Sequence, residues 1–242
     1  MSDAPSPASR PVDSAGAKGE ALIEEPTRGQ AQLARRVAES RATVPDLTLT
    51  SQADMEAAIV LRAELPEPAP TIEDLVIKAC GLALRESPRA NGAYRDARFE
   101  RYPRVNVGVT MTTAEGLPLT PVVFDADVKG LGEIAEATAA LARRAREGAL
   151  TQPELSGGTF SVSSLGEFGI AHWTAVLNQP QAAVLAVGAV EPRAVVRDGA
   201  VVARHVVDLT LSCDHRILYP AAAGHLLRRV CELLEQPALL TR

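Results

Sequence analysis

Aromatic side chains are scarce in this sequence: one Trp, three Tyr and four Phe make up 3% of its 242 residues. A core must therefore be assembled from Ala, Val, Leu and Ile. Cysteine is nearly absent as well. Cys80, Cys213 and Cys231 stand far apart without a CxxC pair, which argues against a disulfide scaffold and a Cys-based zinc site. Each lies in apolar sequence and reads as a small buried hydrophobe of a reducing, cytoplasmic compartment. There is no surplus of basic charge. A formal net charge of -5 and a pI near 5.5 leave no basic face for nucleic-acid phosphates and no polybasic patch for anionic membranes. No apolar run approaches the ~18 residues of a membrane-spanning helix; the longest, Ala182 to Val190, is far shorter. The first residues, MSDAPSPASRP, contain no secretory-type apolar stretch. With 46% hydrophobic and 23% charged residues, the chain has an ordinary globular composition.

Along the chain, Met1 to about Thr27 is rich in Ala, Pro, Ser, Gly and charge, and reads as a disordered tail. From Arg28 to the end the pattern is that of one folded domain. Leu33, Ala34, Val37 and Ala38 fall on one face of a helix that Pro45 ends. Leu47 to Thr50 alternates as a strand, and a helix from Met55 to about Leu65 follows. Thr71 and Asp74 have capping-box spacing before a helix over Leu75–Leu84. Strands are expected over Val105–Thr113 and Leu119–Phe124, then a helix over Leu131–Arg146. Further strands are expected at Thr159–Ser163, Ala182–Val190 and Ala194–Val196, and after the Asp198-Gly199 turn as far as Cys213. A last helix spans Ala221–Glu235, with Pro220 in its first turn. Helices and strands mix without a strict βαβ repeat, so an α/β fold of the mixed-sandwich type fits better than a doubly wound sheet.

Two segments stand out chemically. In LTLSCDHR (209–216) a β-rich run ends abruptly in Asp214-His215-Arg216, and strand ends are where a rigid scaffold can hold a polar group over a cleft. In GGTFSVSSLG (157–166), glycines flank a short strand carrying serines, a sign of close backbone approach or of turns. Alone, each segment fits a structural role as readily as a catalytic one.

Together, GGTFSVSSLGEFG, NQPQAAVLAVG and LTLSCDHR have the order and spacing of the catalytic domain of the dihydrolipoyl acyltransferases, which the chain resembles from about Arg28 to Leu240. The likeness includes Leu33 to Ser40, Asn106 to Val109 and Thr120 to Val123. It implies the CoA-dependent acyltransferase fold that this family shares with chloramphenicol acetyltransferase. It also implies that coenzyme A or acyl-CoA is a substrate and that the protein is a homotrimer, possibly built into a larger assembly. No His/Cys/Asp spacing resembles a zinc site, so no metal is expected. The family's general base falls on His215, held in the family by a local backbone carbonyl, and its oxyanion-stabilising hydroxyl falls on Ser163. The two come from neighbouring subunits, in a channel entered by CoA from one side and the acyl partner from the other.

The sequence departs from the family four residues after the histidine. Tyr219 and Pro220 stand where the family has Asp (or Asn) and Gly, and Tyr has no carboxylate to offer, only a hydroxyl. Tyr219 is therefore a candidate substrate-side wall residue. His172 and Trp173, in a segment shared with the family, are candidates for the channel lining. His205 and His225 read as structural. The tail before Arg28 carries no lipoylation-type Asp-Lys-Ala segment, and Met1 is initiator-like. The reading placed first is a stand-alone enzyme, moving an acyl group, acetyl for preference, from CoA to a hydroxyl of a small molecule or carrier-bound intermediate in tetronate-type natural-product biosynthesis. The alternatives are the core of a 2-oxoacid dehydrogenase complex, served by lipoyl groups on another chain, and an inactive trimer.

Overall fold

The structure, a computed structural model, describes residues 22–66 and 68–241. Most of the expected tail, residues 1–21, lies outside the described residues. Helix α1 (Arg28–Thr43) opens with a box: Gln30 N donates to Thr27 Oγ1, and Thr27 N donates to Gln30 Oε1. After β1 (Asp46–Asp54) and α2 (Glu56–Glu64), α3 (Ile72–Glu86) starts with the anticipated Thr71–Asp74 box. Asp74 also accepts from Thr138 Oγ1 at 2.6 Å, tying α3 to α4 (Leu131–Arg146). These reciprocal bonds satisfy orphan amides at the helix starts, each worth about 1 kcal/mol.

Between α3 and α4 lie β2 (Gly92–Arg95), β3 (Arg98–Arg101), β4 (Val107–Val109), β5 (Met111–Thr112), β6 (Pro118–Leu119) and β7 (Val122–Val123). β8 (Phe160–Ser164), β9 (Ala183–Val187), β10 (Glu191–Arg197), β11 (Ala200–Asp214) and α5 (Pro220–Glu235) follow. Two expectations need correction. The single strand over Val105–Thr113 is split: Thr110 N still donates to Val162 O of β8, whereas Met111 and Thr112 leave the central sheet to pair with β6. The strand over Leu119–Phe124 is also split: Pro121 has no N–H for a ladder, although its carbonyl accepts from Val109 N at 2.8 Å.

The central sheet is mixed, in the order β1-β11-β9-β8-β4-β7, with β10 on the first half of β11. β4, β8 and β9 run parallel and the outer pairings are antiparallel. Its two faces differ in chemistry. Leu209, Leu211, Cys213, Leu185, Phe160, Val162 and Val107 point toward α3 and α5 and belong to the main core. At about 1.5–3 kcal/mol for each large side chain buried, this face supplies most of the driving force. The alternate residues present hydroxyls and small groups on the other face. There Thr50, Thr210, Ala186 and Ser163 lie in one row across four strands, and Thr48, Ser212, Val184 and Ser161 in the next. Among the described residues no helix is long and apolar enough to cross a membrane.

Candidate functional site

The hydroxyl-bearing face is covered by the irregular segment 166–180, which is seated by one glycine. A Cβ at Gly188 would lie 1.9 Å from Ala171 O, so only glycine lets that segment settle here. Ala189 N donates to Ile170 O at 2.8 Å and fixes the approach. Trp173 follows, its Nε1 donating to Val187 O at 3.1 Å, and it packs on Val44, Ala175, Leu177, Val184 and Ala186. Helix α1 lies across the other end of this segment, pinned by Ser40 Oγ donating to Leu177 O at 2.7 Å.

Between α1, residues 118–122, the 157–158 glycines and this segment lies a cavity of about 880 Å³. Ser163 and Trp173 are on its wall. Gly108 keeps it open, since a Cβ there would meet Thr120 Cγ2 at 2.7 Å and Ser161 Oγ at 3.2 Å. Ser161 is spent on structure, 2.6 Å from Gln181 Oε1. Ser163 is buried, yet its hydroxyl makes no hydrogen bond among the described residues. The hydroxyl is not among the fully enclosed orphan atoms, so it faces the cavity space and is free to donate to a ligand there.

His215, Tyr219 and His172 do not line that cavity. β11 ends at Asp214, and Ile217 N and Leu218 N fold back onto Asp214 O at 3.1 and 2.9 Å. His215 N donates to Pro45 O at 3.0 Å, but the ring nitrogens have no partner among the described residues. The expected backbone carbonyl on the imidazole is therefore not part of this chain's geometry. The exposed His215 ring is 6.1 Å from that of Tyr219, tilted by 57°. Tyr219, 48% exposed, is the residue before the first turn of α5, and Arg89 Cζ lies over its ring at 5.8 Å. His172 is exposed, with Nδ1 3.4 Å from Thr210 Oγ1. Thr210 is in the same register row as Ser163, two strands away and so about 10 Å distant.

Cys213 precedes this turn, but burial and the nearby Asp214 push its thiol up to about 12, which removes it as a nucleophile. Among the described residues no group of three His, Cys, Asp or Glu side chains is placed to hold a metal. Arg89, packed on Tyr219, was not singled out from the sequence: Ser87-Pro88-Arg89-Ala90 carries no motif, and only the fold brings it beside residue 219.

The family model for 2-oxoacid dehydrogenases acyltransferase (catalytic domain) matches residues 21–242. The acetyltransferase component of the Rhizobium meliloti pyruvate dehydrogenase complex is 37% identical over 215 residues, covering 85% of this chain and 48% of that protein. The chain thus spans about half the length, or less, of such curated relatives. Azotobacter vinelandii dihydrolipoamide acetyltransferase superposes with a TM-score of 0.87 at 30% identity, covering 97% of this chain and 99% of that one. The same figures describe the cubic core of a pyruvate dehydrogenase multienzyme complex. Chloramphenicol acetyltransferase, at 14% identity and a TM-score of 0.57, shares the fold alone. In the A. vinelandii enzyme a serine, a histidine 52 residues after it and an asparagine four residues further on have a role in the catalytic mechanism. Ser163, His215 and Tyr219 have the same spacing here.

Proposed function

The chain belongs to the 2-oxoacid dehydrogenase acyltransferase (catalytic domain) family, and from that premise we propose that it moves an acyl group between a dihydrolipoyl thiol and coenzyme A. The observation that carries this reading is the partnerless hydroxyl of Ser163 on a cavity wall, 52 residues before an exposed histidine. The attacking thiol gives its proton to the His215 imidazole, and the thiolate adds to the thioester carbonyl. Ser163 donates to the oxyanion so formed. Collapse breaks the original C–S bond, and the imidazolium returns the proton to the departing thiolate. Since His215 is not on the cavity wall of its own chain, we assign the complete site to two subunits, in a trimer that builds into a larger core.

The hydroxyl-acylating, stand-alone reading gives way to this one. The relatives are named for transfer to a dihydrolipoyllysine residue, and a thiol of pKa about 8–9 yields its proton to imidazole far more readily than an alcohol does. The test offers the 242-residue chain acetyl-CoA with reduced lipoamide, and separately with a panel of alcohols. Rapid S-acetylation is expected. Turnover of an alcohol alone would reinstate the stand-alone enzyme, and no turnover of either would leave the inactive trimer.

A further inference from the structure

Residues 85–104 carry six arginines against three acids, in a chain whose net charge is -5. Three of those arginines are neutralised: Arg85 by Asp127, Arg95 by Glu100 and Arg104 by Asp125. Arg89, Arg98 and Arg101 are exposed and have no acidic partner among the described residues. The β2–β3 hairpin sorts them by face. Tyr94 and Phe99 are opposite each other, rings 5.8 Å apart. Arg101, two residues beyond Phe99, shares its face, whereas Arg98 and Glu100 point the other way.

Phe99 is 50% exposed, with Arg89 Cζ over its ring at 5.3 Å. The same guanidinium lies over Tyr219, which leads on to His215. An aromatic side chain flanked by two unpaired arginines has the make-up of a binding hot spot rather than of an ordinary solvated surface. The positive face continues to the exposed imidazole, so whatever docks here can deliver a thiol arm to it. We infer that Arg89, Phe99 and Arg101 form a docking surface for an acidic protein domain that carries the acyl-bearing thiol arm. This rests on the dihydrolipoyl reading above and adds to it the chemistry of the partner.

The probe is a separately folded acidic domain bearing one reduced lipoyl-lysine, compared with free dihydrolipoamide. In the full chain, Arg101→Glu and Phe99→Ser should each raise KM for the domain by about tenfold, with kcat, KM for free dihydrolipoamide and KM for acetyl-CoA unchanged. Arg101→Lys should stay near the parent. Added salt should weaken the parent's use of the domain and affect Arg101→Glu much less. An unchanged KM for the domain would overturn the proposal. So would a rise in KM for acetyl-CoA, since the cations would then serve the phosphates of CoA. Failure with free dihydrolipoamide as well would instead sink the function proposed above. Binding of the domain to a His215→Ala chain, read by calorimetry, tests the docking surface without turnover: Arg101→Glu must weaken it about tenfold.

Discussion

Asp214 gives both carboxylate oxygens to Arg216 and none to its other neighbour, His215. Oδ1 accepts from Arg216 Nε at 2.9 Å and Oδ2 from Nη2 at 2.7 Å, while Arg216 N donates to Oδ1 at 2.9 Å. The pair closes the turn after β11 and sets Arg216 over Tyr94 at 4.7 Å. Asp214→Asn leaves a guanidinium without its buried counter-charge and should cost about 2–4 kcal/mol of stability. A thermal melt checks it. At temperatures where the variant is folded, kcat should fall because His215 is no longer held in place.

Splitting the proposed site between chains has a sharp consequence. His215→Ala alone should slow transfer about 10²–10⁴-fold, and Ser163→Ala about 10²–10³-fold in kcat with little change in KM. Co-expressing the two variants should restore roughly a quarter of the sites, because random assembly pairs an intact His215 with an intact Ser163 across some interfaces. No recovery in verified mixed trimers would place both groups in one chain.

Tyr219 stands where the A. vinelandii enzyme has a catalytically studied asparagine. Tyr219→Asn should raise kcat for dihydrolipoamide severalfold at unchanged KM for CoA, by clearing the ring from beside His215 and supplying an amide. Kinetics with both substrates varied separates this outcome from a simple loss of packing.

Glu73, in the first turn of α3, has its carboxyl raised to about 7 by burial, with Asp74 and Glu167 adding repulsion. In the unfolded chain it ionises near 4.5. The folded state therefore holds the proton longer, and stability falls as pH rises from 4.5 to about 7. Glu73→Gln should leave the melting temperature unchanged near pH 4.5 and raise it above pH 7, by about 1–2 kcal/mol of stability.

Much of the fold could be read from the chain because its long elements carry strong local signals. The Thr71–Asp74 box, the apolar face of α4 and the alternation of β11 each announce themselves. The β2–β3 hairpin does not. Its turn is Asp96-Ala97 at φ 50° and 58°, where the sequence pattern for such a turn would be Asn-Gly or Asp-Gly. Its strands are Arg-rich rather than alternating, so Arg89, Phe99 and Arg101 could be recognised as neighbours of His215 only in three dimensions. Ser163 and His215 can be singled out as candidates from their motifs, but the cavity beside Ser163 cannot, because its walls come from α1, the 118–122 segment and the loop seated by Gly188.

The two-sided sheet constrains how this protein can change over generations. In β8, Val162 faces the core and Ser163 the cavity, so each residue's duty is set by whether its position is odd or even. A single inserted or deleted residue there would turn the hydroxyl into the apolar layer and put a valine on the cavity wall. Chemistry and folding would fail in one step, with no viable intermediate. Length variation in this strand is therefore confined to its flanking loops or to paired residues, while single substitutions stay available on either face.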